Sequence, residues 1–186
     1  MELVFLIGFL CIGLIFGSFL NVLLSRSPLF FQGGGISVFR GRSQCDRCQR
    51  QLRWFELVPV VSFFILQGKC HTCGNRIPIE YLIVEGTMGM IFLGIGYRLF
   101  SSALLFSTGL FFIYGAFLLL GAFSLLAIFF FDRKYMLIPD IFSASFFMAS
   151  LGMTGIRFFY LQDADIQGIV LASLSIFILF AGIWLL

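Results

Sequence analysis

Four cysteines stand in two C-x-x-C pairs, Cys45/Cys48 and Cys70/Cys73, with 21 residues between the pairs. Thiolates at that spacing can close a tetrahedron around one metal ion, and four of them suit a structural zinc. A four-thiolate set leaves no open position for water. The chemistry it predicts is therefore the folding of a small loop rather than catalysis. The alternative is a pair of structural disulfides. His71 adjoins Cys70, but four thiols already complete the set, so it reads as an exposed loop histidine. The fifth cysteine, Cys11, falls in an apolar run and reads as packing.

Carboxylates are the second group able to do chemistry. Asp132 closes a long apolar run in Phe131-Asp132-Arg133-Lys134-Tyr135. Partly buried at a membrane edge, it would suit general acid–base work; an interfacial anchor is the plain alternative. Glu85 falls inside an apolar stretch, where a charge is expensive. It is expected to face the interior of the bundle and to find a hydrogen-bond partner or stay protonated. Asp140 follows Pro139 and reads as a carboxylate favoured at a helix N-terminus. Asn21, in Gly17-Ser18-Phe19-Leu20-Asn21-Val22, can hydrogen-bond between helices where small residues let them approach.

The elements that must position these residues are membrane helices. The chain is 60% hydrophobic, holds 27 phenylalanines, and has a mean hydropathy of +1.06. That excludes an ordinary soluble domain and predicts an all-α polytopic membrane protein of about five transmembrane helices. The spans are predicted at 3–24, 80–99, 103–131, 141–160 and 168–186, each near the ~20 residues that cross a bilayer or longer. The domain division follows: helix 1 over 1–24, a loop domain over 25–78, and helices 2–5 over 79–186. Trp54 to Leu66 is apolar but short and contains Pro59, so an interfacial or re-entrant segment beside the cysteine module is expected. No internal repeat is evident.

Eight of the twelve Lys/Arg lie between Arg26 and Arg76, which places that loop in the cytoplasm and the N-terminus outside. A cytoplasmic loop is kept reduced, which favours metal-bound thiolates over disulfides. The first apolar stretch has Glu2 and no basic residue before it, unlike a cleaved signal peptide. The last one runs to Trp184-Leu185-Leu186 without a polar anchor, so a longer parent protein is expected.

Taken in order, these motifs resemble those of the bacterial prepilin peptidases. The matching pieces are Gly17-Ser18-Phe19-Leu20-Asn21-Val22 with Arg26 and Pro28, then Cys45-x-x-Cys48. Trp54-Phe55-Glu56-Leu57-Val58-Pro59 with Ser62 and Gly68-Lys69-Cys70-x-x-Cys73-Gly74 follow. Tyr81, Glu85, Asp132 and Leu137-Ile138-Pro139-Asp140 complete the series. Leu82 departs from it, since the family usually has proline there. The resemblance implies an inner-membrane aspartic endopeptidase that removes the leader of type IV prepilins or pseudopilins after a glycine. It also implies N-methylation of the new N-terminus with S-adenosylmethionine. Asp132 corresponds to the first catalytic aspartate, with Asp140 and Glu85 as supporting candidates. The second aspartate belongs to a G-x-G-D motif that the 186 residues do not contain. Asp163 and Asp165 are expected on the opposite membrane face, so the chain alone is expected not to cut. The alternative is a non-proteolytic homologue that binds pilin leaders or retains only methyl transfer. No nucleic-acid partner is expected.

Overall fold

The computed structural model describes residues 2–31, 42–45, 47–102 and 108–157. Among the described residues, regular structure is helical apart from two isolated bridges. The order is α1 (Glu2–Phe31), a 3-10 turn (Trp54–Leu57), α2 (Val61–Ile65), α3 (Ile79–Ser102), α4 (Thr108–Tyr135) and α5 (Asp140–Ile156). Three segments are long and apolar enough to cross a membrane: Glu2–Arg26, Ile79–Ser101 and Gly109–Tyr135. α5 is apolar but shorter, at 17 residues. The protein is thus a helical membrane protein. The predicted fifth span at 168–186, and Asp163 and Asp165 before it, lie outside the described residues, as does the Gln32–Gly35 stretch.

Two helix ends differ from the hydropathy reading. α1 continues through Phe31, seven residues past its predicted end at Leu24. Hydropathy marks where the bilayer ends, whereas backbone hydrogen bonding decides where a helix ends. α4 likewise runs to Tyr135, so Asp132 lies within its last turn instead of closing it. Arg133 and Lys134 occupy that turn, where the helix dipole favours cations. The helix stops at Met136, which turns to φ 52 while its N–H bonds the Asp132 carbonyl at 2.8 Å.

α1 packs most extensively on α3, and α4 on α5. Lipid tails are as apolar as leucine, so these helices associate through close packing rather than exclusion from water. Gly13 and Gly17 make that possible on α1. A Cβ at Gly13 would lie 2.7 Å from the Phe92 Cβ, and one at Gly17 would lie 2.7 Å from the Glu85 Cα. This is a G-x-x-x-G face. Buried Leu20, Leu24, Val84, Met88, Phe92, Ala127 and Phe131 form the core beside it. Ser124 and Ser145 bond each other at 2.7 Å between α4 and α5. The Tyr135 hydroxyl donates to the Leu24 carbonyl, tying the ends of α4 and α1 together.

Candidate metal centre and adjoining cavity

The loop between α1 and α3 is built from two copies of one turn. Cys45 N–H donates to the Arg50 carbonyl at 3.0 Å, and Gln49 N–H donates to the Cys45 carbonyl at 2.9 Å. In the second copy, Cys70 N–H donates to the Asn75 carbonyl at 2.8 Å and Gly74 N–H to the Cys70 carbonyl at 3.0 Å. The flanking bridges, Gln44 with Gln51 and Lys69 with Arg76, correspond as well. The residue after each second cysteine has positive φ, 56° at Gln49 and 66° at Gly74. Glycine takes that conformation freely, whereas glutamine does so at a cost. The loop therefore holds a local structural repeat that its sequence scarcely shows. Its signal was faint: outside C-x-x-C the two copies differ at nearly every position.

The repeat brings the four thiols together. The Sγ atoms of Cys45, Cys48, Cys70 and Cys73 all lie within 4.8 Å of one another, and Cys45 and Cys73 are 3.8 Å apart. A tetrahedral zinc with Zn–S bonds of about 2.3 Å needs sulfurs about 3.8 Å apart. The donor set and spacing therefore fit one four-thiolate ion. Such an ion would supply folding energy to a loop with little core of its own. His71 is exposed and outside the group.

Electrostatics prepare the thiols unevenly. N–H groups of Cys73 and Thr72, with help from neighbouring thiols, bring Cys70 down to about 6 despite its burial. At Cys73 the Asn75 N–H acts downward, but desolvation and the three neighbouring thiols outweigh it and push the group up to about 11. Cys70 and Cys73 are thus driven in opposite directions, and a cation bound between them relieves that opposition. Arg50 stands behind this set, pairing with Glu56 at 2.6 Å and also facing the Cys70 thiol. Glu56, 2% exposed at its side chain, accepts the Arg53 N–H at 2.7 Å as well. Arg50, and then the Arg53 N–H, hold the Glu56 carboxyl below its ordinary range, against the effect of burial. Their sequence context does not mark Arg50 and Glu56 as a pair. A charged pair in the loop looks like solvated surface until the fold buries one member.

The module closes over the ends of α1 and α3. The Trp54–Leu66 stretch forms the 3-10 turn and α2 beside the cysteines, without a span of its own. Val60, between them, donates its N–H to the Glu85 carboxylate on α3 at 2.7 Å. Glu85 thus has the partner its place in α3 demanded. Asn21 on α1 donates to the Tyr81 carbonyl at 3.0 Å, bonding α1 to α3 as its motif suggested. A cavity of about 400 Å³ lies between these parts. Ser18, Asn21 and Arg26 line it from α1, Cys45 and Cys70 from the module, and Tyr81 and Glu85 from α3. Asp132 and Asp140 are both exposed and neither lines the cavity. Asp132 lies three residues before Tyr135, whose hydroxyl reaches α1 at Leu24, so it stands at the same end of the bundle as the module.

Fold and site together define a helical membrane protein with a four-cysteine module docked at one end of its bundle. Residues 11–99, which contain that module, match the family model described as Bacterial Peptidase A24 N-terminal domain. The chain is 41% identical over 81 residues to a prepilin leader peptidase/N-methyltransferase of Myxococcus xanthus, covering 44% of this chain and 23% of that protein. It is 39% identical over 88 residues to one from Vibrio cholerae, covering 46% and 35%. One from Bacillus subtilis is 38% identical over 86 residues, covering 46% and 33%. The matches take in less than two-fifths of the length of these relatives. No solved structure matches the chain. The resemblance to the bacterial prepilin peptidases therefore holds, and the N-terminal half of the chain carries it.

Proposed function

We propose that this chain provides the N-terminal part of a prepilin leader peptidase/N-methyltransferase in the bacterial inner membrane. The observation that carries the reading is the complete four-cysteine module, in a segment that matches the family over residues 11–99. The metal is zinc, held by Cys45, Cys48, Cys70 and Cys73 in a structural role. The N-terminus faces outward and the module faces the cytoplasm, where the basic residues cluster. Substrates are type IV prepilins or pseudopilins, cut after a leader glycine and methylated from S-adenosylmethionine. Asp132 is the first of two catalytic aspartates. Its exposure at the module end of α4 leaves it open to a substrate entering from that face. Asp140 at the start of α5 and Glu85 on α3 act in support.

An aspartic dyad needs two carboxylates sharing a proton, and the G-x-G-D that carries the second is not among these 186 residues. The second reading concerns these 186 residues acting alone: they bind pilin leaders or transfer methyl groups without proteolysis. Both readings meet one test. The purified chain is given a prepilin and, separately, a leaderless pilin with methyl-labelled S-adenosylmethionine. Saturable binding of a pilin form without leader release is the expected result. Absence of binding to both forms overturns the family reading for this chain. Leader release that depends on Asp132 overturns the requirement for a second aspartate.

A further inference from the structure

The connection between the cysteine module and the bundle contains a backbone conformation that its sequence opposes. Val60 sits at φ 62 and ψ −50. Val61 N–H donates back to the Pro59 carbonyl at 2.6 Å, which makes Pro59-Val60-Val61 a γ-turn of the rare, positive-φ kind. A β-branched residue is among the least tolerant of positive φ. Such strain persists only where the surroundings over-determine it. Here the surroundings are specific. The Val60 N–H, turned inward by this conformation, meets the Glu85 carboxylate at 2.7 Å. Leu57, Ser62, Phe63 and Leu66 on either side of the turn line the same cavity as Glu85, Asn21 and Ser18.

We infer that Glu85 is a positioning residue: its bond to the Val60 N–H holds the strained turn and so sets the cavity wall formed by the turn's flanks. The bond is a latch between the cysteine module and α3, separate from the metal centre and from Asp132. It gives an ionisable group on a membrane helix a structural employment. With the latch removed, Val60 relaxes to negative φ, the γ-turn opens, and α2 loses its fixed start. Glycine at position 60 has no such drive, because positive φ costs it nothing.

That asymmetry supplies the test. Hydrogen exchange is followed by mass spectrometry on the full chain in detergent. The readout is the amides of Ser62 in α2 and of Leu66 at its C-cap, which bond the carbonyls of Val58 and Ser62 at 3.0 and 2.9 Å. Glu85→Ala is expected to speed their exchange by about tenfold or more, the scale set by leaving the Val60 N–H without its acceptor. Amides at Cys45, Cys70 and Gly74 are expected to keep their wild-type rates. Glu85→Gln, which retains an acceptor oxygen, is expected to fall near wild type and guards against a general failure of Glu85→Ala to fold. The double variant Glu85→Ala with Val60→Gly is expected to recover most of the lost protection. Unchanged exchange in Glu85→Ala overturns the latch. So does equal loosening of the cysteine amides, or a double variant no better protected than Glu85→Ala.

Discussion

Replacing Glu56 should weaken metal binding although Glu56 touches no metal. The carboxylate accepts from Arg50 at 2.6 Å and from the Arg53 N–H at 2.7 Å, with its side chain 2% exposed. Each hydrogen bond to a charged group contributes about 1.5–3 kcal/mol net, and the low end applies because Arg50 is itself 25% exposed. Glu56→Ala therefore costs about 3 kcal/mol of module stability. Where a module folds only around its ion, that loss passes directly into metal affinity, since binding and folding free energy are shared. At about 1.4 kcal/mol per decade the affinity falls roughly 100-fold. Glu56→Gln keeps the acceptor for Arg53 and loses the charge, so about tenfold is expected. The assay is zinc competition against a chromophoric chelator on the detergent-solubilised chain. The pH sign follows from the lowered carboxyl. Its stabilisation is complete above the ordinary carboxylate value of 4.5 and is lost as pH falls through the lowered one. Proton competition for the four thiols affects wild type and variant alike. The gap between them should stay constant from neutral pH downward until the carboxylate range is reached. Equal zinc affinity for Glu56→Ala and wild type would refute the coupling of this pair to the metal centre.

Two further substitutions probe the module and its attachment. Cys45→Ser removes one of four clustered thiols, and metal analysis should find bound zinc well below the wild-type stoichiometry; equal content would count against the four-thiolate site. Gly17→Ala puts a Cβ 2.7 Å from the Glu85 backbone, so α1 and α3 must separate, at a cost of about 1–3 kcal/mol. A lowered melting temperature in detergent is the expected reading, and no change would refute the close approach.

Much of the metal centre was legible because its signal is local. Cysteine is rare, C-x-x-C spacing is short, and a tetrahedron of thiolates has few other uses. The G-x-x-x-G on α1 is equally local, but glycine is common in membrane helices and the spacing does not name the helix that approaches it. Arg50 and Glu56 were harder. Nothing in the sequence separates a buried ion pair from a solvated one, because burial is a property of the whole loop.

The sequence by itself determined that this protein lives in a membrane, that its polar loop can bind a metal, and which family it resembles. Composition and short-range spacing carry all three. Only the tertiary structure decided how the loop attaches. It made the two cysteine turns copies of one another, and it joined Tyr135 on α4 to Leu24 on α1. It also forced Val60 into a conformation that its own side chain disfavours. A local preference can be overruled when a distant group offers a strong enough bond, and the Glu85 carboxylate, 25 positions further along the chain, is such a group.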